Sequence, residues 1–134
     1  MIQYKSGFKY QLHNTYTINF PWLTEHLNYE ADFLKISGAM LIIEAGYAWD
    51  GPSGPTWDSK SSMRASLIHD ALYQLMRIGI LPEKCREQAD DVLYDICIED
   101  GMFKPRAWIW YKAVRLMASD MAKNGTEREI HIAP

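Results

Sequence analysis

Cysteine is scarce in this sequence, which has only Cys85 and Cys97 among its 134 residues. Both cysteines fall in one predicted helix, where the helical rise would separate them by about 18 Å, far beyond the reach of a disulfide. No pair of histidines lies near them in the sequence, which argues against a zinc site. The fold is therefore expected to be stabilised by packing, with both thiols in the core, and a reducing compartment is compatible with them.

The sequence also lacks a strong charge of one sign and a long apolar run. Its formal net charge is −3, so the composition does not favour nucleic acid, and we expect no nucleic-acid partner. Apolar runs such as AMLII are far too short to span a bilayer. The first residues, MIQYKSGFKYQLHN, contain no apolar segment typical of a secretory signal. With 48% hydrophobic residues, the chain is predicted to form one domain over 1–134.

What the sequence does contain is a change of hydrophobic period along the chain. Residues 1–46 are predicted to be rich in strands, because apolar residues alternate by two through FKYQLHNTYTINF, and DFLKIS and AMLIIEAGYAW flank a turn at Gly38. The segment 47–61 is rich in glycine and proline and is predicted to be a long loop that binds a metal ion. A helical period follows over 62–125, and the tail 126–134 is polar.

The helical part divides into three predicted helices, over 62–78, 82–101 and 105–125. A proline stands at the start of each of the last two, where its missing N–H costs nothing. The GILP link between the first two helices is short, so these helices are expected to pair antiparallel. The predicted fold class is therefore α+β, with N-terminal antiparallel strands, a Gly/Pro loop, two antiparallel helices and a third, C-terminal helix.

The first predicted helix carries polar residues in an otherwise apolar stretch, RASLIHDALYQLMR. His69 and Tyr73 stand one turn apart on one face, and Asp70 lies about 100° around the helix from His69. In an antiparallel pair, Asp90 of the second helix comes within one or two turns of the level of His69. A carboxylate there can hold one imidazole nitrogen while the other faces a substrate. The alternative is a buried histidine with a structural role and a tyrosine anchored by its hydroxyl.

A metal site is the second feature that these residues indicate. Asp70 would point toward the Gly/Pro loop, where a carboxylate and backbone carbonyls can form an all-oxygen site for a hard cation such as calcium. Asp50, in the same loop, is either a further metal ligand or the residue that forms an Asx-type turn. Two partners for His69 are also open, because Asp91 lies beside Asp90 in the sequence.

Three motifs follow one another in the chain, namely WDGPSG, HDALY and AD. In this order they resemble the calcium loop, the His-Asp-x-x-Tyr helix and the later Ala-Asp of the phospholipase A2 superfamily. The resemblance covers about 47–91 and is closest to the compact, disulfide-free type found in parvovirus capsid proteins. Over most of its length the chain is also similar to a family of phage and prophage proteins with a His-Asp-x-x-Tyr helix. Two departures are Trp49, where the phospholipases have tyrosine, and Ser53, which is inserted in the loop.

The resemblance implies the mechanism of a calcium-dependent esterase. His69 would activate water for attack on an ester carbonyl, Asp90 would orient His69 and stabilise its imidazolium, and Tyr73 would donate its hydroxyl to Asp90. Calcium would stabilise the developing oxyanion. Its ligands would be the carboxylate of Asp70 and loop carbonyls near Trp49, Gly51 and Gly54.

The function that these motifs favour is a phage-encoded, phospholipase A2-like hydrolase that cleaves a lipid ester. Its partner would be phospholipid or a membrane surface, with Trp49 and Trp57 beside the loop as the side chains that contact it. The alternative is a non-catalytic virion or phage-assembly module that retains the scaffold and binds phage structural proteins. Either protein is expected in the host cytoplasm or in the phage particle. The sequence leaves both alternatives open.

Overall fold

The computed structural model describes residues 2–5, 8–49 and 60–117. The described residues up to Trp49 belong to one compact unit, and those from Lys60 to Met117 belong to another. The first unit is built from antiparallel strands and the second from helices, which confirms the α+β prediction. The predicted single domain over 1–134 stays a prediction.

The described part of the N-terminal unit contains seven short strands arranged in two antiparallel sheets. In chain order the strands are β1 (Ile2–Lys5), β2 (Phe8–Leu12), β3 (Tyr16–Asn19), β4 (Tyr29–Glu30), β5 (Leu34–Ser37), β6 (Met40–Ile43) and β7 (Ala48–Trp49). One sheet has the order β1-β2-β7, and the other has the order β3-β6-β5-β4. A 3₁₀ helix, Pro21–Glu25, links β3 to β4 and buries Leu23.

The hairpin β5–β6 shows why alternation along the sequence predicts these strands. Leu34 pairs with Ile43 and Ile36 pairs with Leu41, and all four side chains are buried. Successive side chains of a strand point to opposite faces, so this register places these four apolar residues on one side of the hairpin. The predicted turn is present at Gly38, whose φ of +61° favours glycine.

The second unit consists of three helices, α1 (Lys60–Arg77), α2 (Arg86–Glu99) and α3 (Lys104–Met117). Helix α1 starts two residues before the predicted boundary at 62. A 3₁₀ turn, Glu83–Cys85, precedes α2, so that the proline at the start of the predicted helix lies before this turn. The last part of the third predicted helix, from 118 to 125, lies outside the described residues, as does the tail 126–134.

Helices α1 and α2 pack antiparallel, as the short link between them predicts. Arg64, near the start of α1, reaches the far end of α2, where its Nε and Nη2 donate to the two carboxylate oxygens of Asp100 at 2.9 and 2.8 Å. It also bonds to Glu99. Later in α1, His69 meets Asp90 near the start of α2. An early residue of α1 thus contacts the end of α2, and a later residue of α1 contacts the start of α2. The two helices therefore run antiparallel.

Buried residues of this unit agree with the sequence patterns, with one difference in placement. Cys85 and Cys97 are both buried thiols, although Cys85 lies in the 3₁₀ turn and not in the helix. Burial raises the pKa of the Cys97 thiol to about 12, which keeps this thiol protonated and unreactive. Of the two tryptophans of α3, Trp110 is 1% exposed and Trp108 is 55% exposed, so the first packs in the core and the second faces solvent.

Both ends of the segment 47–61, which the sequence predicts as a loop, lie in regular elements, and residues 50–59 lie outside the described residues. Ala48–Trp49 forms strand β7, which pairs with β2, and α1 begins at Lys60. The strand forms in spite of the nearby glycines because its backbone pairs with β2, which lies much earlier in the chain. Within the part of the chain that the structure describes, no helix combines the length and apolar character needed to cross a membrane.

Candidate active site

Helix α1 brings His69 and Tyr73 together on its buried face. The two residues are four apart, and their ring centroids lie 4.3 Å from each other with the planes tilted by 33°. Tyr73 is 3% exposed, whereas His69 keeps 6% of its surface open to solvent. The neighbouring apolar residues of α1 are also buried, namely Leu67, Ile68, Ala71, Leu72 and Leu75. The imidazole is therefore almost completely buried in a largely apolar setting.

Helix α2 supplies the carboxylate that both of these side chains contact. Asp90 is 0% exposed, and its Oδ1 lies 2.6 Å from Nε2 of His69. The hydroxyl of Tyr73 donates to the same oxygen at 2.6 Å. The structure thus brings together the three residues that the sequence predicted as a catalytic group. Their catalytic roles stay a prediction.

Asp90, and not Asp91, is the partner of His69. The two residues are adjacent on α2, and the helix turns Asp90 inward while it leaves Asp91 exposed. The alternative that the sequence left open is thereby decided by helix phase.

Two arginines complete the surroundings of the carboxylate, and sequence reasoning missed both. Nη1 of Arg115, on α3, donates to Oδ2 of Asp90 at 2.8 Å. Nη1 of Arg86, one turn before Asp90 on α2, lies 3.9 Å from the same oxygen and donates to the backbone carbonyl of Arg115 at 3.1 Å. One buried carboxylate therefore joins all three helices through donors on both of its oxygens.

The electrostatics of the cluster favour an ionised Asp90. Burial raises the pKa of this carboxyl, but the hydrogen bond and charge of His69, with the hydrogen bonds from Tyr73 and Arg115, outweigh burial and lower the pKa below its usual value. The opposite holds for Tyr73, whose phenol pKa is raised by burial and by its contact with Asp90. At neutral pH the cluster thus contains an aspartate anion and a neutral tyrosine.

An ionised Asp90 also fixes the tautomer of a neutral His69. A carboxylate can only accept hydrogen bonds, so Nε2 of His69 must carry the proton that it donates to Oδ1. The lone pair of the neutral ring is then on Nδ1. Within the described residues no hydrogen bond to Nδ1 is present, and this nitrogen is the one that can accept a proton from water.

The predicted metal site is described only in part. Asp70 is half-buried on α1, next to His69. Trp49 lies in β7 and is 4% exposed, with its ring 5.7 Å from that of Tyr10, so the prediction that this side chain contacts a membrane is wrong. Asp50, Gly51, Gly54 and Trp57 lie outside the described residues.

The described residues supply too few ligands for calcium by themselves. Among residues 2–5, 8–49 and 60–117, no three His, Cys, Asp or Glu side chains converge to hold a metal ion. Asp70 is the one predicted carboxylate ligand that can be located. Calcium takes six to eight oxygen ligands, so the calcium site stays a prediction about the segment before α1.

Fold and site together define the class: an α+β protein whose helical unit buries a His–Asp–Tyr cluster held by arginine. A family model described as "Protein of unknown function (DUF1353)" matches residues 22–114, more than half of the chain, and the chain belongs to this family. The matched range contains His69, Tyr73 and Asp90. No curated protein and no solved structure matches the chain. The resemblance to the phospholipase A2 superfamily stays a prediction.

Proposed function

We propose that this protein is a hydrolase in which His69 acts as the general base, with a lipid ester as its substrate. The observation that supports the proposal most directly is the 2.6 Å contact between Nε2 of His69 and a fully buried carboxylate. A carboxylate in this position holds the imidazole in one tautomer and stabilises the imidazolium that forms during catalysis.

The proposed reaction uses the free ring nitrogen of His69. As a water molecule attacks the ester carbonyl carbon, Nδ1 takes its proton, and the new C–O bond gives a tetrahedral oxyanion. Collapse of this intermediate breaks the bond to the alkoxide, which receives the proton back from Nδ1. Asp90 stays ionised throughout because its pKa is lowered by three hydrogen-bond donors. Tyr73 and Arg115 act as positioning residues, because they contact Asp90 and not the substrate.

Calcium belongs to the proposal as the group that would stabilise the oxyanion. Asp70 is the described residue that would hold it, with Asp50 and the carbonyls of the Gly/Pro segment as further predicted ligands. Lipid esters as the substrate class, a phage origin and a location in the host cytoplasm or the phage particle rest on the sequence resemblance alone. Phospholipid or a membrane surface is the partner that this proposal implies.

The test is the release of fatty acid from phospholipid vesicles by the purified protein. Removal of a general base is worth about 10²- to 10⁴-fold in rate, so His69→Ala and His69→Gln should lose at least about a hundredfold. Gln offers a donor toward Asp90 but no base, which separates catalysis from packing. His13→Ala is the matched control, since His13 is exposed in the other unit.

Two outcomes would contradict parts of this proposal. If the His69 variants hydrolyse vesicles as fast as the His13 variant, His69 is not the base. If a calcium chelator leaves the rate of the wild-type protein unchanged, the calcium prediction is wrong while the role of His69 stands.

The second candidate is a non-catalytic virion or phage-assembly module, which would bind phage structural proteins. One observation favours it: the Asp90 cluster joins all three helices of the unit, so it can serve as a structural connection without turnover. Under this alternative the vesicles stay intact with wild-type protein, with or without added calcium.

A further inference from the structure

A second group of side chains lies beside the Asp90 cluster, in a groove between α2 and α3. A cavity of about 320 Å³ is open there to solvent, and it is lined by Asp91, Tyr94, Asp95, Trp108 and Tyr111. None of these residues is among those that donate a hydrogen bond to Asp90. The groove therefore uses other side chains than the proposed hydrolytic site.

Aromatic rings form the walls of this groove. Tyr94 of α2 and Tyr111 of α3 meet edge to face, with ring centroids 6.1 Å apart and planes at 71°. Trp108 stands one turn before Tyr111 and is 55% exposed. Faces of aromatic rings carry negative electrostatic potential and attract cations, and tryptophan does so most strongly.

Carboxylates supply a second source of negative potential in the groove. Asp91 and Asp95 are one turn apart on α2 and are both exposed. Like charges at this spacing destabilise a helix. Neither residue is among the acids that form salt bridges in residues 60–117, which are Asp90, Glu99 and Asp100. The groove thus combines aromatic walls with two negative charges that no described lysine or arginine neutralises by a salt bridge.

The protein itself shows that one wall of the groove accepts a cation. Nζ of Lys112 lies 5.5 Å from the ring centroid of Trp108, within the range of a cation–π contact. At the other end of the groove, the pKa of the Tyr111 phenol is raised by burial and then by the charge of Asp91 and a hydrogen bond to it. The first contact shows that the Trp108 ring attracts a cation, and the second shows a negative contribution from Asp91 at Tyr111, which the charge of Arg115 partly opposes.

We propose that this groove binds a quaternary or methylated ammonium group, carried by a small soluble ion or by a lipid headgroup. Such a group is positive but weakly hydrated, so its methyl groups can contact Tyr94, Tyr111 and Trp108 while its charge faces Asp91 and Asp95. A metal ion fits less well, because the lining offers two carboxylates and three aromatic rings where a hard cation needs more oxygen ligands. The volume is sufficient, since it lies at the lower end of the range for small-molecule sites.

The test compares choline with its neutral isostere, 3,3-dimethylbutan-1-ol, which has the same shape without the charge. Binding is followed by the NMR signal of the ligand methyl groups, which broadens when the ligand binds. We expect choline to bind at least about tenfold more tightly than the alcohol. The proposal is overturned if the two compounds bind equally, or if the protein binds neither free choline nor phosphatidylcholine vesicles.

Two variants locate the site, and a third provides the control. Trp108→Leu keeps an apolar side chain but removes the ring, and Asp95→Asn removes one charge at an exposed position. Each should weaken choline binding several-fold or more, whereas Phe103→Leu should leave it unchanged, because Phe103 is 73% exposed just before α3 and does not line the groove. Unchanged melting temperatures show that the variants fold. If Asp95→Asn and Trp108→Leu both bind choline as the wild type does, the groove is not the site.

A vesicle experiment identifies the source of the ammonium group. If the protein sediments with phosphatidylcholine vesicles and not with phosphatidylglycerol vesicles, and if Trp108→Leu abolishes this sedimentation, the ammonium group is that of a lipid headgroup. Binding of free choline without sedimentation would identify a soluble ion. Because the His69 variants are not used, these results do not depend on whether the protein is a hydrolase.

Discussion

Replacement of Asp90 by asparagine is the sharpest test of the buried cluster. Asparagine has nearly the same shape as aspartate, but it presents one acceptor oxygen and one NH₂ group to three donors. Its oxygen can face His69 and Tyr73, in which case its NH₂ group meets the guanidinium of Arg115 where Oδ2 was 2.8 Å away. The variant therefore loses at least one charge-assisted hydrogen bond and leaves Arg115 without its counter-ion.

The size of the effect follows from burial. Loss of a hydrogen bond to a charged group costs about 1.5–3 kcal/mol, and loss of one partner of a buried ion pair costs about 3–5 kcal/mol. The side chain of Arg115 is 27% exposed, so water can replace part of what is lost. We expect Asp90→Asn to lower the free energy of unfolding by about 2–3 kcal/mol, a large part of the stability of a typical domain.

Urea-induced unfolding, followed by the helical signal in circular dichroism, measures this change. Asp95→Asn is the matched control, because it makes the same chemical change on the same helix at an exposed position, and it should stay within about 0.5 kcal/mol of the wild type. If the two variants are equally stable, the network around Asp90 contributes nothing to stability and the reasoning is refuted.

The same variant has a pH dependence whose sign is fixed by the pKa of Asp90. This pKa is lowered in the folded protein, so on acidification the unfolded chain binds the proton first. The stabilisation by Asp90 is complete above the ordinary carboxyl pKa and is lost as the pH falls through the lowered value. The difference in stability between wild type and Asp90→Asn should therefore narrow as the pH drops from about 6 to about 3. A gap that widens in this range would contradict the assigned shift.

Three further substitutions test separate parts of the structure. Arg115→Met should lower the free energy of unfolding by about 1–3 kcal/mol, because it removes the charged donor of a buried carboxylate, and in a pH titration it should raise the pKa of Asp90. Tyr73→Phe should cost about 1 kcal/mol in urea unfolding, since it removes one neutral donor and keeps the ring. Gly46→Ala should cost about 2 kcal/mol or more in thermal unfolding, because φ at Gly46 is +99° and a Cβ would lie 2.8 Å from the ring of Phe33.

The elements that the sequence predicts well are those set by local periodicity. Strand β5 alternates apolar and polar residues, so Leu34 and Ile36 share a face, and the structure buries both. Helix α1 repeats its apolar residues with the helical period and ends at Arg77, two residues before Gly79, whose φ is +85°. In each case neighbours along the chain carry the information, so no distant contact is needed to read it.

Contacts between elements are predicted only where two constraints coincide. A short link forces α1 and α2 to pack antiparallel, and this brings His69 and Asp90 to the same level. The sequence could not choose between Asp90 and Asp91, because the choice depends on which face of α2 packs against both α1 and α3. Arg115, which is 25 residues further along the chain, donates to the inward-facing Asp90, and this contact between α2 and α3 is not visible in the local pattern. Arg86 was the signal that could have been used, since it stands one turn before Asp90 on the same face.

The energetics of the cluster bear on what it is for. A connection between three helices can be made by apolar side chains, which pack without the cost of removing a charge from water. Here the helices instead bury an aspartate completely and then neutralise it with three donors on two other helices. The arrangement fixes an anion beside an imidazole whose Nδ1 makes no hydrogen bond within the described residues. A structural connection between helices does not need that nitrogen, whereas the proposed hydrolysis uses it, and this difference supports the proposal that His69 acts as a general base.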